Sequence, residues 1–423
     1  MLVRYFQRRG IYYGWVVVGV MFVTLFVSMG FRFSFGVFYS AILDETGWQR
    51  AETASVFSVA MLVYAVTAAL SGFLFDRWGA RALFTLGALL MGGGLLLCST
   101  ITGIGELILY YGLPVGLSYA CLGFIPHMAI VPRWFTRRRG LAASLALAGV
   151  GVGSLVLAWG SAELIQALGW RPTLWWFGLG CVAVLVPVNL LHRPSAAAEG
   201  LPSDGVPHAP DTPPPAAPHH SSVRAAVRSW PFWALFAGVF LMGVCMLTLV
   251  VHQTRLLVDL GFGLGTASVL FGLLGLARAV GGMFWGPLSD RIGRALCVVI
   301  ICSASSLGLG LLLLAANLPL TGWEGLRLAL LAGYLATFGL GYNGISPVFA
   351  ATVSDHFSGR HLGTLFGLID LGFGVGSALG PWVAGWMFDR LGNYNGVILF
   401  LMAGVALTIV PLGLAGRRPR AHP

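Results

Sequence analysis

The sequence predicts an all-α membrane protein: twelve transmembrane helices in two pseudo-symmetric six-helix bundles. Three observations predict it: a composition unsuited to water, twelve apolar stretches of spanning length, and motifs that recur at fixed offsets in the two halves. Of 423 residues, 57% are hydrophobic and only 9% charged, with a mean hydropathy of +0.84. An ordinary soluble domain is roughly a quarter charged. So few charges cannot cover a soluble surface, and the lipid bilayer is the solvent that fits.

A helix needs about 20 apolar residues to cross the hydrocarbon core. Stretches of that kind run over 13–41, 53–75, 82–101, 106–132, 140–168, 171–192, 230–258, 266–288, 294–316, 323–352, 361–388 and 394–416. The first is too long for a signal-peptide core and carries no small-residue cleavage site, so no cleavable signal is expected. All six Cys (Cys98, Cys121, Cys181, Cys245, Cys297, Cys302) fall inside apolar stretches, and no disulfide is expected.

All 25 basic residues are Arg. With both termini in the cytoplasm, 18 of them fall on inner segments and five (Arg50, Arg171, Arg255, Arg327, Arg390) on outer loops. That asymmetry obeys the positive-inside rule. The net charge of +10 is thereby a topology signal and needs no nucleic-acid partner. Residues 193–229 are rich in Pro, Ala, Ser and His, cannot build a core, and are expected to form a flexible cytoplasmic linker between halves 1–192 and 230–423. His208, His219 and His220 read as linker polarity rather than as a metal site.

The halves repeat. Gly72, Asp76, Arg77 and Gly79 follow the second stretch, and Gly286, Asp290, Arg291 and Gly293 follow the eighth, 214 residues later. Gly149, Gly153 and Ser154 recur as Gly372, Gly376 and Ser377 at an offset of 223, as do Trp159 with Trp382 and Leu168-Gly169 with Leu391-Gly392. Duplicated halves with a binding site between them are a transporter signature. Glycines four apart lie along one helix face and let neighbouring backbones approach.

The Gly-x-x-x-Asp-Arg-x-Gly motif after spans 2 and 8 resembles the major facilitator superfamily, over the whole chain. The resemblance implies rocker-switch alternating access, a central cavity lined by spans 1, 4, 7 and 10, and a cytoplasmic gate formed by Gly72, Asp76, Arg77, Gly79, Gly286, Asp290, Arg291 and Gly293. A finer resemblance is carried by Ser34-Phe-Gly-Val-Phe38, Gly47-Trp48-x-Arg50, the run from Arg133-Trp134-Phe135 to Arg137-Arg138-Arg139-Gly140, and an Arg in span 8, here Arg278. It is similar to the monocarboxylate porter branch and the related oxalate/formate group. Animal porters of that branch place an Asp one turn before the span 8 Arg; this chain has Leu274 there. They also carry a Lys in span 1 at a position that matches Phe33, beside Arg32. The oxalate/formate Lys of span 11 is missing as well, which disfavours a dianion.

Ionisable groups inside a bilayer cost about 2.5–3.5 kcal/mol each on insertion scales, so each asks for a reason. Arg278 falls near the middle of span 8, beside a stripe of Gly275, Ala279, Gly282 and Gly286 that reads as a packing seam. Its planar fork suits a carboxylate; a structural ion pair is the other reading. Arg32, in the outer half of span 1, either binds substrate or reaches toward the outer interface. Asp370 is the only acid well inside a span. It stands as a candidate proton carrier or as an ion-pair partner of Arg278, with His252 as a second proton-coupling candidate. Tyr119 and His127 of span 4, and Tyr342 and Asn343 of span 10, fall on cavity helices; of these, Tyr119, Tyr342 and Asn343 are candidate substrate contacts. Two Arg and one Asp leave one positive charge in surplus, which an arriving monoanion would cancel.

These residues point to a secondary transporter of a lactate- or pyruvate-like monocarboxylate, coupled to protons as a symporter, acting as a monomer in the plasma (inner) membrane. An exporter of an amphipathic or neutral compound is the alternative, with Arg278 then held in an ion pair; a membrane receptor on the same scaffold is another. There is no nucleophile–base pair, P-loop or metal cluster to suggest an enzyme, and no cofactor is expected.

Overall fold

The computed structural model of the protein describes residues 3, 5, 6, 9, 12–205, 223–319, 321–357 and 362–416. The described regular elements are all helical. A lipid environment demands this, because a helix satisfies its backbone groups within one segment.

Span 1 is Tyr13–Thr46 and spans 2 and 3 together are Arg50–Cys98. Spans 5 and 6 are Arg139–Leu168 and Trp170–Asn189; spans 7, 8 and 9 are Trp230–Asp259, Leu264–Ile292 and Arg294–Asn317; spans 11 and 12 are Leu362–Leu391 and Asn395–Ala415. Among the described residues, eleven helices are long and apolar enough to cross a membrane.

The expected tenth span is the exception. It runs as Glu324–Tyr334, a π turn Leu335–Gly339, a short turn Tyr342–Gly344, and Ser346–His356. Span 4 breaks in the corresponding way: Ile104–Tyr110, a π turn Tyr111–Val115, Gly116–Cys121 and Phe124–Trp134. The apolar stretches 106–132 and 323–352 give the length of these two spans but not their breaks. Pro114 has no N–H to give to the ladder, and Gly341 adopts φ −79°, ψ −98°, so both spans interrupt at mid-depth.

The duplicated motifs prove to be geometric requirements. Gly79 ends span 2 at φ +76° and Gly293 ends span 8 at φ +90°, a region that side chains disfavour. Each reverses the chain in a single residue. Gly153 lies directly on the backbone of Phe26, and Gly376 on that of Phe240, so spans 5 and 11 close onto spans 1 and 7 with no room for a Cβ. The paired Trp159 and Trp382 are exposed on the lipid-facing surface.

Within each half the matching helices pack alike: span 1 on 5 and 7 on 11. The main contacts between the halves are span 2 with 11, span 5 with 8, and span 1 with 7. The start of span 1, the described parts of the linker (193–205 and 223–229) and the end of span 12 sit at one end of the bundle, called here the linker side; the loops after spans 1, 3, 5, 7, 9 and 11 form the far side.

The linker begins as built structure rather than as the free segment expected from residue 193. Ala196 is buried and donates its N–H to the Arg133 carbonyl, and Arg193 pairs with Glu199 at 3.6 Å. Asp204, at φ +59°, receives the N–H and hydroxyl of Thr136 and the N–H groups of Arg137 and Arg138. Partial burial pushes its pKa up, but the Arg137 N–H, the Thr136 hydroxyl and N–H and the Arg138 N–H outweigh that and bring it down to about 2. A depressed carboxylate stabilises the fold above its unfolded pKa, near 4, and loses that contribution as pH falls toward 2. At neutral pH, Asp204→Asn should speed amide hydrogen exchange at residues 136–138 about twofold to thirtyfold, the range for losing a capping carboxylate. Unchanged exchange would mean that the latch is ornamental. His208, His219 and His220 lie outside the described residues.

Candidate functional site

Small residues bring span 8 against span 5: Gly275 packs on Ser154 and Gly151, and Gly272 on Leu155. Gly282 and Gly286, lower on the same stripe, face Pro347 of span 10. The stripe is therefore a packing seam, and it turns Arg278 toward a small cavity between the halves. The walls come from Phe33 of span 1, Ser154 of span 5, Met246, Leu249 and Val250 of span 7, and Phe271, Leu274 and Gly275 of span 8, with Arg278 itself. This lining draws on spans 5 and 8 beside spans 1 and 7, and none of its residues comes from span 4 or span 10.

The Arg278 guanidinium lies 4.1 Å from the centre of the Phe33 ring. Its Nη2 is buried and without a hydrogen-bond partner, and among the described residues no carboxylate stands within 4 Å. A buried donor left open is costly, typically by 1–3 kcal/mol and more for a charged group. The ion pair with Asp370, one of the sequence expectations, does not form.

Asp370 instead reaches across the halves. Tyr64 of span 2 donates its hydroxyl to the carboxylate at 3.2 Å. Arg32 of span 1 stacks over the same ring at 4.7 Å and lies 5.2 Å from the ring of Tyr119. It is only 5% exposed, so it does not reach toward the outer interface. Nη2 of Arg32 donates to Met61 Sδ at 3.0 Å, and its Nε is unpartnered. The fields of Arg32 act on both Asp370 and Arg278, which places two cations and one acid in one neighbourhood.

The other candidates are distributed differently from expectation. Tyr119 is buried and shares a 2.7 Å hydrogen bond with Tyr111, so it backs Arg32 and does not line the described cavity. Tyr342 is fully buried within its own half, with its hydroxyl 2.8 Å from Thr408 Oγ1, away from that cavity. The Asn343 side chain lies outside the described residues. His127 is buried against Phe84 with Nδ1 2.8 Å from the Gly123 carbonyl. His252 is at the far side: Nε2 donates to the Pro381 carbonyl at 2.8 Å, and Nδ1 lies 3.3 Å from Tyr39 and 3.2 Å from Tyr394. Both ring nitrogens are engaged in joining span 1 to spans 7, 11 and 12.

The far side is where the halves are tied, by Arg residues that the sequence marks as outer-loop charges and, for Arg50, as part of the Gly47-Trp48-x-Arg50 motif. Arg50, at the start of span 2, pairs with Asp259 at 2.7 Å and lies 3.5 Å over the Phe388 ring. The N–H groups of Arg50 and Ala51 donate to the two oxygens of Asp389 at 3.0 and 2.8 Å. Arg255 pairs with Asp44 and with Asp259. On the linker side, by contrast, the motif residues bond only within their own half. Asp76 pairs with Arg133 at 3.0 Å and Asp290 with Arg294 at 2.6 Å, while Arg77 and Arg291 make no ion pair among the described residues. Among the described residues, Asp76, Arg77, Asp290 and Arg291 of the expected cytoplasmic gate make no ion pair between the halves in this conformation. The bundle is latched at the far side.

Comparison with known proteins places this geometry. Mouse (Mus musculus) monocarboxylate transporter 11 is 28% identical over 97% of this chain and 88% of its own length. Bos taurus monocarboxylate transporter 13 is 25% identical over 94% of this chain and 89% of its own. The uncharacterized MFS-type transporter YcxA of Bacillus subtilis (strain 168) is 25% identical over 94% and 93%. Among solved structures, the bacterial homolog of the human lysosomal transporter Spinster, inward-facing and occupied, superposes with a TM-score of 0.72 at 14% identity, covering 95% of this chain and 97% of that one. The nucleoside transporter NupG gives 0.74 at 13% identity, covering 95% and 100%. Residues 21–333 and 256–423 match the family model, and on that match together with the twelve-span duplicated architecture, the protein belongs to the Major Facilitator Superfamily of membrane transporters.

Proposed function

We propose that the chain carries a small organic monoanion by alternating access, in symport with protons, across the inner (plasma) membrane with both termini in the cytoplasm. The observation that carries this reading is Arg278: a guanidinium that faces a cavity with an open donor and without a protein carboxylate beside it. A carboxylate guest would fill the open donor and cancel the single positive charge left by Arg32, Arg278 and Asp370. The relatives named as monocarboxylate transporters support the same class of cargo.

Asp370 is the proton carrier in this reading. Its hydrogen bond to Tyr64 crosses from one half to the other, so rocking the halves changes its partners and its affinity for a proton. The far side is latched in the described conformation, and in this reading the linker side, cytoplasmic by the placement of the Arg residues, is the one that opens.

The test is saturable uptake of labelled short carboxylates into proteoliposomes. A gradient of one pH unit is worth about 1.4 kcal/mol, so one-to-one coupling concentrates the anion about tenfold. Asp370→Asn should abolish gradient-driven accumulation while retaining exchange of internal for external anion. Accumulation that survives in Asp370→Asn removes the proton role, and absence of saturable uptake for every acid removes the anion reading.

A further inference from the structure

Resting on the anion reading, we infer that the guest is a monocarboxylate with an unsubstituted apolar tail, rather than a hydroxy or oxo acid of three carbons. The walls around Arg278 decide this. Phe33, Met246, Leu249, Phe271 and Leu274 present only carbon and one thioether. Four of them, all but Phe33, are buried to 6% exposure or less, so they form a built wall and not an incidental surface.

The polar complement is small. Ser154 is the other side chain in the lining with a hydrogen-bonding atom, and its hydroxyl already donates to the Val150 carbonyl at 2.8 Å. Among the described lining residues, the side-chain donors free for a guest are therefore those of Arg278. A carboxylate takes two of its N–H groups, so a 2-oxo or 2-hydroxyl group must share the same guanidinium or take one lone pair of Ser154, and the surrounding wall offers it no side-chain partner of its own. Desolvating such a group without full compensation weakens binding.

Leu274 strengthens the inference. It stands four residues before Arg278 on the same helix and lines the same cavity. Leucine there leaves the guanidinium uncancelled and adds apolar wall at the place nearest the anion's tail. A two- or three-carbon acid leaves most of that wall wetted, whereas each further methylene removes about one methylene's worth of apolar surface from water, roughly a fourfold gain in affinity.

The experiment is competition against a labelled acid in proteoliposomes, using the unlabelled series from acetate to pentanoate, with lactate set against propionate. Each wild-type inhibition constant is compared with that in Arg278→Ala and in Phe271→Ala. The expected result is a fall of about threefold to fourfold per methylene, lactate at least fivefold weaker than propionate, and a shallower slope in Phe271→Ala with acetate little changed. A flat series, or lactate the stronger ligand, overturns the apolar-tail inference while Arg278-dependent binding keeps the anion reading. A slope that persists in Arg278→Ala is perturbation of the bilayer by the acids and also overturns it. No competition by any acid removes both.

Discussion

Arg278→Ala should lower carboxylate affinity by roughly thirtyfold to several thousandfold, without lowering the stability of the protein. Truncating one partner of a buried, hydrogen-bonded charge pair costs about 2–5 kcal/mol, and here the pair exists only when the guest is bound. In the empty protein, Arg278 has no carboxylate within 4 Å among the described residues and leaves Nη2 unsatisfied. Its burial is a liability, so removing it should leave the melting temperature unchanged or higher. Arg278→Lys keeps the charge and loses the planar fork, and should fall between the two in affinity. Binding titrations and thermal melts on the same samples separate the outcomes. A structural Arg278 would give the opposite signature, a lower melting temperature with binding intact. Arg32→Ala provides the contrast. That side chain is wedged against Tyr64 and Tyr119 and bonded to Met61, so its loss should destabilise the half that holds it.

The difference between these two arginines also marks how far the sequence can be read. Composition, span count and the duplicated glycines make the architecture legible, because Gly79, Gly293, Gly153 and Gly376 answer to local geometry that recurs with the repeat. The depth of Arg278 follows from counting along span 8. Its direction follows from the small-residue stripe beside it. Arg32 has no such stripe, and it lies one position from Phe33. Neighbours on a helix point about 100° apart, so the two face different partners: Phe33 looks into the cavity and Arg32 looks into its own half. The same rotation hides Tyr342 against Thr408. Breaks in spans 4 and 10 leave signs in Pro114, Gly341 and Pro347, but a 20-residue hydropathy window averages over them. His252 and Arg50 were out of reach for another reason. Their partners come from spans far along the chain, 339 residues away for the Arg50 N–H to Asp389, and such contacts leave no local pattern.

Arg50→Ala should shift the protein toward the state open at the far side by about 30- to 150-fold. Arg50 holds the halves by three side-chain contacts: the pair with Asp259, the stacking on Phe388 and the Tyr394 ring 5.0 Å from its guanidinium. The pair is only 13% exposed on the Arg50 side, so it is screened less than a surface bridge, and these contacts together are worth about 2–3 kcal/mol. Asp259 would not be orphaned, because Arg255 remains at 2.9 Å, and the backbone N–H groups that Asp389 accepts survive the substitution. The effect is thus confined to the contacts that must separate when the far side opens, and an equilibrium shifts only by such differences between states. Spin labels at Thr102 and Thr321, which are exposed on far-side loops of opposite halves, report the separation directly by pulsed dipolar spectroscopy. Arg50→Ala should move population to longer distances and speed the opening step, while Arg77→Ala, whose side chain makes no ion pair among the described residues here, should leave the far-side distances in place. Identical distance distributions in Arg50→Ala and the parent protein would show that the latch is held without Arg50's side chain, by the Asp389 cap, the Arg255–Asp44 pair and the His252 contacts.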